Sequence, residues 1–271
     1  PPFYREDSMK SVQRSLLLGG LILCAAAAAA EQDDPRFSIS AGAEYSTGSY
    51  GGDADIEDFY VPLKATMDFR RLSFRLTVPY LSVRAPEGTV ITGPGGEPIP
   101  GTGDIVTNSG IGDVIASVTV LDVISNRRLG FAMDLTGKVK FGTADVDKGL
   151  GTGENDFTVQ ADFLKFMDSI TWVGSIGYKF RGQPPGATLD DALLASAGGI
   201  YKFNSDMRAG MFFDYRESSI GADPTQELSV FLSNRVSADW RLQVFIFRGF
   251  TDSGADWGAG LQVKRYLPSL R

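Results

Sequence analysis

The chain has 271 residues, a formal net charge of −7, a single cysteine and no histidine. The negative charge argues against nucleic acid as a partner, and the lack of histidine excludes catalysis through an imidazole. One cysteine cannot form an internal disulfide, and without histidine it cannot complete a Cys/His zinc site. We therefore expect no catalytic residues, no metal centre, no cofactor and no enzymatic activity.

The N-terminal region predicts a secretory signal peptide. Met9 is followed by two basic residues, by an apolar stretch over residues 16–24 and by a run of alanines over residues 25–30. A basic start, a short apolar core and small residues before a cleavage site are typical of exported chains. The expected organisation is an upstream segment from a misplaced start at 1–8, a cleaved signal peptide at 9–30 and one exported domain at 31–271.

Two other interpretations of this region fit less well. A membrane anchor would need a longer apolar run, and a lipoprotein signal at Cys24 would need a small residue where Leu23 lies. No later stretch reaches the roughly 18 consecutive apolar residues of a transmembrane helix, so we expect no such helix.

Beyond the signal, the chain repeats a unit of strand, short turn, strand and longer loop. Successive side chains of a β-strand point to opposite faces, so alternating apolar and polar residues give each strand one apolar and one polar face. Residues 129–141 show this most clearly. Their apolar face carries Leu129, Phe131, Met133, Leu135, Val139 and Phe141, and their polar face carries Asp134, Thr136, Lys138 and Lys140.

The pattern predicts about twelve strands whose connections alternate strictly in length. The predicted strands are 36–46, 57–70, 71–83, 112–123, 127–142, 156–166, 169–181, 191–203, 206–217, 226–237, 239–250 and 255–266. Short connections are predicted at 70–71, 124–126, 167–168, 204–205 and 237–238, and long ones at 47–56, 84–111, 143–155, 182–190, 217–225 and 251–254. Short periplasmic turns and long external loops are typical of bacterial outer-membrane barrels.

The predicted fold is therefore all-β, a transmembrane antiparallel up-and-down β-barrel of about twelve strands in the bacterial cell outer membrane. An even strand count places both chain ends on the periplasmic side. The apolar faces would contact lipid, and aromatics near strand ends would form interfacial girdles. Such aromatics are Phe37, Tyr45, Phe59, Phe69, Tyr201, Phe203, Trp240 and Trp257. The alternative is a soluble lipocalin-like barrel, with apolar residues inside and charges outside.

The polar faces would line the lumen of such a barrel. Basic residues outnumber acidic ones among them, and a basic wall would favour anionic solutes. Alternatively, the charges pair across the interior and fill it, because twelve strands lie between barrels filled by side chains and barrels with an aqueous channel. The candidate lumen residues are Lys64, Asp68, Arg70, Arg75, Asp113, Asp134, Lys138, Lys140, Asp162, Lys179, Arg181, Lys202, Arg208, Asp214, Arg216, Arg235 and Arg241.

Two predicted loops carry closely spaced carboxylates, and a third is unusually long. The acidic groups are Asp53, Asp55, Glu57 and Asp58 in one loop and Asp145, Asp147, Glu154 and Asp156 in another. Either they hold calcium through oxygen ligands or, as we favour, they are simply solvated beside the lipid surface. The segment 85–110, rich in glycine and proline, either folds into the barrel as a constriction or remains an external loop.

Three neighbouring motifs resemble those of a known family. The sequence S-G-I-G-D-V occupies residues 109–114, K-V-K-F-G-T-A-D occupies 138–145, and G-L-G-T-G-E-N-D occupies 149–156. This stretch resembles the outer-membrane transporter-like β-barrel family of the MetA pathway of phenol degradation. Its members carry a G-x-G-D strand start, a lysine-containing strand end and a G-x-G loop. The likeness is specific over residues 109–156 and looser elsewhere.

The resemblance implies an outer-membrane channel for the passive uptake of small molecules, aromatic or hydrophobic compounds among them. The alternative function is a non-conducting structural or surface-interaction barrel with a plugged lumen. The expected partners are the lipid bilayer and lipopolysaccharide, a small-molecule solute and the outer-membrane assembly machinery, with no nucleic acid.

Overall fold

The computed structural model describes residues 35–93 and 97–268, and over these residues the chain forms thirteen strands. The predicted signal peptide lies outside the described residues. The strands are β1 (Arg36–Gly48), β2 (Ile56–Asp68), β3 (Leu72–Pro86), β4 (Ile105–Ile111), β5 (Ile115–Asn126), β6 (Phe131–Lys140), β7 (Asp156–Met167), β8 (Ile170–Phe180), β9 (Ala192–Lys202), β10 (Met207–Arg216), β11 (Thr225–Arg235), β12 (Trp240–Gly249) and β13 (Trp257–Tyr266).

All strand pairs are antiparallel, and the sheet closes on itself. β1 pairs with β2 on one side and with β13 on the other. The long strand β3 pairs with β4 along one half of its length and with β5 along the other half. β4 and β5 therefore act as one interrupted strand, which confirms the predicted twelve-stranded up-and-down barrel. We call the end that carries the long loops the outer end, and the opposite end the inner end.

The predicted long loop at 84–111 is wrong at both ends, because β3 extends into it and β4 occupies its last residues before the interruption at 112–114. β3 continues to Pro86 and β4 begins at Ile105, so the connection between them spans only residues 87–104. Gly112 donates its N–H to the Pro79 carbonyl at 2.9 Å, which keeps the chain against β3 across the break. Glycines and short polar residues at 107–113 obscure the alternation, and this explains why the prediction missed β4.

The predicted turn at 124–126 is also wrong. These residues belong to β5, which carries a β-bulge between Val120 and Ile124. The turn lies instead at residues 127–130 and ends in Gly130 with φ 58°. Between Val120 and Ile124, β5 has two more residues than the facing part of β6, so the bulge interrupts the regular pairing and moves the apparent strand end.

Large apolar side chains cover the outside of the barrel. Val244, Ile246 and Leu261 lie in mid-strand and are 45%, 63% and 47% exposed. Burying apolar surface stabilises a fold by about 25 cal/mol per Å², so leaving a continuous apolar band in water would be costly. Contact with lipid removes this cost, and the outward apolar faces therefore contradict the soluble alternative with apolar residues inside.

Aromatic pairs lie at both edges of the apolar band. Tyr178 and Phe180 meet edge to face at 5.0 Å at the outer end of β8, and Tyr201 and Phe203 meet at 4.9 Å near the inner end of β9. Such positions suit the membrane–water interface, where an aromatic ring contacts both phases. In the described part of the chain, no helix is long and apolar enough to span a membrane.

Candidate functional site: the barrel interior

The structure places the predicted lumen residues along the inner wall, with few exceptions. Cross-strand register aligns Lys138 with Thr158 and Thr158 with Lys179, and Asp134 with Asp162, on one face of neighbouring strands. Most other candidates share this face. Asp113 lies in the break between β4 and β5, Arg181 follows β8, and Arg70 lies in the turn after β2.

Two of the candidates take part in a buried ionic cluster. Lys140 Nζ lies 2.7 Å from Asp113 Oδ2 and 3.6 Å from Asp156 Oδ2, and it donates a hydrogen bond to the Glu154 carbonyl at 3.1 Å. Asp113 Oδ1 accepts N–H groups from Thr143 and Ala144 at 3.1 and 3.0 Å. Asp156, predicted in a solvated loop, is the first residue of β7 and is buried. These charges neutralise one another instead of facing a solute.

The ionic cluster explains the glycine-rich motif at 149–153. Gly149 adopts φ 67° and lies so close to Thr89 that a Cβ atom would collide with the Thr89 carbonyl. A Cβ on Gly151 would approach Asp113 Oδ1 to 2.9 Å. Both positions thus require glycine for close approach, which fastens the loop at 141–155 onto the cluster.

The connection between β3 and β4, which we call the inner loop and describe over residues 87–93 and 97–104, folds into the outer mouth of the barrel. Arg181 donates to the Thr92 carbonyl at 3.5 Å, so the loop reaches the end of β8. Glu97 Oε2 accepts hydrogen bonds from Ser218 Oγ at 2.7 Å and from the Ser219 N–H at 3.1 Å. The loop therefore crosses the mouth from β3 to the β10–β11 connection, as a constriction would.

Beneath the inner loop lies a cavity of about 430 Å³, which we call the outer compartment. Glu44, Asp58, Glu97 and Glu227 line it, and its described lining residues include no lysine or arginine. Asp58 belongs to β2, not to the acidic external loop predicted from the sequence. Glu44 and Glu227 were missed, although the same alternation that selected the basic residues also points them inward.

Tyr50 closes the outer compartment from the β1–β2 loop. Burial raises the pKa of its phenol above the ordinary value, and the nearby carboxylates of Asp58 and Glu227 raise that pKa further. The phenol is therefore neutral at physiological pH. In the described parts of the chain, no group of three or more carboxylates is arranged to hold a metal ion.

Four inward phenylalanines form an apolar stripe on the wall of β10–β12. Phe212 and Phe231 stack with ring centroids 6.3 Å apart and planes at 16°. Each ring of the stripe lies over a glycine of a neighbouring strand, where a Cβ would collide with it. The ring–glycine pairs are Phe212 with Gly198, Phe231 with Gly210, Phe245 with Gly260, and Phe247 with Gly258. The sequence prediction missed this stripe because it assigned apolar positions to lipid.

A second cavity of about 300 Å³, the inner compartment, lies toward the inner end. Arg208, Arg241 and Lys264 line it, and no acidic residue does so among the described lining residues. Phe231 and Gln243 line both compartments, so the two are adjacent at these side chains. Below it, Arg36 and Arg235 contribute to the inner mouth.

A closed barrel with an apolar outside and a polar, charged inside has the fold of bacterial outer-membrane proteins. An outer-membrane channel from Pseudomonas putida F1 is similar over 87% of this chain and 97% of its own, with 13% identity and a TM-score of 0.63. The KdgM porin is similar over 85% of this chain and 99% of its own, with 10% identity and a TM-score of 0.54. At such identities the likeness concerns the fold.

The chain belongs to the family described as "Putative MetA-pathway of phenol degradation", whose model matches residues 59–264. The match confirms the resemblance identified from the motifs at 109–156 and extends it over most of the barrel. No curated protein sequence matches the chain.

Proposed function

We propose that the protein is a passive channel of the bacterial outer membrane for small molecules, with aromatic compounds among its solutes. The observation that carries this proposal is the pair of adjacent compartments inside the closed barrel, whose linings share Phe231 and Gln243. A solute could pass from one to the other without leaving the interior of the barrel.

The apolar stripe supports an aromatic solute. Phe231, Phe245 and Phe247 line the outer compartment, and aromatic rings attract one another in stacked or edge-to-face arrangements by about 0.5–1.5 kcal/mol. The family description refers to phenol degradation, and an exported aromatic channel would fit such a context.

The partners follow from this location. The apolar outside of the barrel would contact the bilayer, and the external loops would lie among lipopolysaccharide headgroups. Folding into the outer membrane would require the assembly machinery of that membrane. We infer no catalytic role, because transport along the interior needs none.

Liposome swelling tests the proposal with two neutral solutes, phenyl glucoside and methyl glucoside. Their sugar prevents them from crossing the lipid, and only one carries an aromatic ring. We expect both compounds to enter proteoliposomes. The phenyl compound should enter faster than it would through a non-selective pore. The double variant Phe231→Ala with Phe245→Ala should abolish that preference while retaining entry of methyl glucoside.

The matched control is Phe213→Ala, which removes a phenylalanine ring from the lipid-facing side of β10. It should leave the preference unchanged. If neither glucoside enters wild-type liposomes, the channel proposal is wrong and the plugged structural barrel is the better interpretation.

A further inference from the structure

We propose that the solute path is bipolar, with an acidic outer compartment in series with a basic inner compartment, so that it opposes simple ions of either sign and passes ionic current asymmetrically. This inference rests on the proposed channel function and specifies which solutes that channel selects. It also replaces the expectation of a uniformly basic, anion-favouring wall.

The acidity of the outer compartment comes from three elements of the barrel and from the inner loop. Glu44 lies on β1, Asp58 on β2 and Glu227 on β11, and Glu97 joins them from the inner loop. Cross-strand register aligns Glu44 with Tyr60 and Ser46 with Asp58, so the two carboxylates share one wall. A solute that enters from the outer end therefore meets negative charge first.

The basic residues of the outer half are withheld from this compartment. Lys140 is held by the buried ionic cluster, and Arg181 is buried against the inner loop. Arg216 lies 3.5 Å from Glu227 and neutralises part of its charge. Lys179 lies on the same wall as Arg181 and is absent from the described lining of the compartment. The inner loop thus contacts Arg181 of the basic wall and adds Glu97 to the lining of the acidic compartment.

The inner compartment has the opposite sign. Arg208 on β10 pairs in register with Ser233, and Arg241 donates to Ser233 Oγ at 3.3 Å, so both basic residues lie beside one neutral serine of the inner wall. Lys264 adds a third positive charge. No carboxylate among the described lining residues balances them.

The facing wall of the inner half does not reverse this sign. Asp134 accepts the Asp122 N–H at 2.8 Å, and Asp162 accepts Gln160 Nε2 at 2.7 Å. Two basic residues face the interior from the same side of the barrel, namely Lys64 and Arg75. The inner half therefore keeps an excess of positive charge.

Two oppositely charged segments in series act on mobile ions as a junction. The acidic segment concentrates cations and the basic segment concentrates anions. When the outer side is positive, both kinds of ion move toward the junction and accumulate there, and the conductance rises. The opposite voltage drives both kinds of ion away from the junction, and the conductance falls. Screening over about 10 Å at 0.1 M salt preserves this effect, and screening over about 3 Å at 1 M salt removes it.

Planar-bilayer currents of oriented single channels test the inference. A biotinylated Asp55→Cys variant, with streptavidin added to one side, reports which face of the bilayer carries the external loops. In 0.1 M potassium chloride we expect a current ratio above about two in favour of a positive outer side, falling toward one in 1 M salt.

Two variants remove one segment each. Glu44→Gln with Asp58→Asn neutralises the acidic segment, and Arg208→Gln with Arg241→Gln neutralises the basic one. Each should bring the current ratio close to one, the first with a shift toward anions and the second with a shift toward cations in a salt gradient. Asp147→Asn with Asp223→Asn removes two exposed loop carboxylates and should leave the ratio unchanged.

The outcomes separate this inference from the proposed function. A steady current with equal magnitude at both polarities in 0.1 M salt, or a ratio that survives both lumen variants, overturns the bipolar path and leaves the channel intact. An absence of current with intact liposome swelling also overturns the bipolar path alone. An absence of both current and swelling overturns the channel function itself.

Discussion

Removing the lysine of the buried ionic cluster should destabilise the barrel strongly. In Lys140→Met the side chain keeps most of its apolar stem but loses the charge that lies 2.7 Å from Asp113 and 3.6 Å from Asp156. Breaking a buried ion pair costs about 3–5 kcal/mol, because an unpaired charge remains. Both carboxylates keep backbone N–H donors, from Thr143 and Gly182 among others, so we expect about 3 kcal/mol, the lower end of that range.

An exposed ion pair of nearly equal length provides the control. Arg84 Nη1 lies 2.8 Å from Glu57 Oε1, but the two side chains are 52% and 37% exposed. Solvent screens such pairs, and they contribute about 0–1 kcal/mol. Arg84→Met should therefore change the free energy of unfolding only a little. Because the two ion pairs have nearly equal lengths, the difference between the two variants measures the effect of burial.

Urea titration of the refolded barrel measures both variants, with the folded fraction read from the shift in gel mobility on heating. Adding Asp113→Asn to Lys140→Met should recover part of the stability, because the amide oxygen can still accept the same N–H groups without a charge. If Lys140→Met and Arg84→Met shift the urea midpoint equally, the ionic cluster does not stabilise the outer end as we argue.

Two further predictions concern the wall and the inner loop. Val244→Arg puts a charge against lipid in mid-strand and should cost about 2–4 kcal/mol of folding stability. Gln243→Arg lies at the same depth but faces the compartments, so it should cost much less. Equal urea midpoints for the two variants would contradict the assignment of faces. Glu97→Ala should free the inner loop from Ser218 and raise single-channel conductance in 1 M salt. Glu87→Ala removes an exposed carboxylate of the same loop and should leave the conductance unchanged. An unchanged conductance for Glu97→Ala would show that the loop is held by other contacts.

The local pattern of the sequence was enough to predict the barrel and the faces of its strands. Alternation depends only on neighbouring residues, so Leu135 and Lys138 could be assigned to lipid and interior without knowledge of any other strand. The alternation failed where the backbone departs from a regular strand, at the bulge before Ile124 and at the break around Asp113. At the break one extra residue changes the phase of the pattern, and at the bulge two extra residues interrupt the regular pairing.

The alternation along a strand shows that a side chain points inward, but it does not show which groups the side chain contacts there. Lys140 and Arg208 have the same parity and the same charge, yet Lys140 is buried in an ionic cluster and Arg208 lines a cavity. The difference arises from segments far apart in the chain. Asp113 and Lys140 are 27 residues apart, and their pairing depends on the break that turns Asp113 toward β6.

The tertiary structure alone decided the position of the inner loop and the signs of the two compartments. The glycines and prolines of this loop are compatible with either an external or an inward path, because they impose no periodic face. The inward path depends on Glu97, which binds Ser218 and Ser219 at a separation of 121 and 122 residues. Such a contact exists only once the barrel has closed and brought β3 and β10 to opposite sides of one mouth.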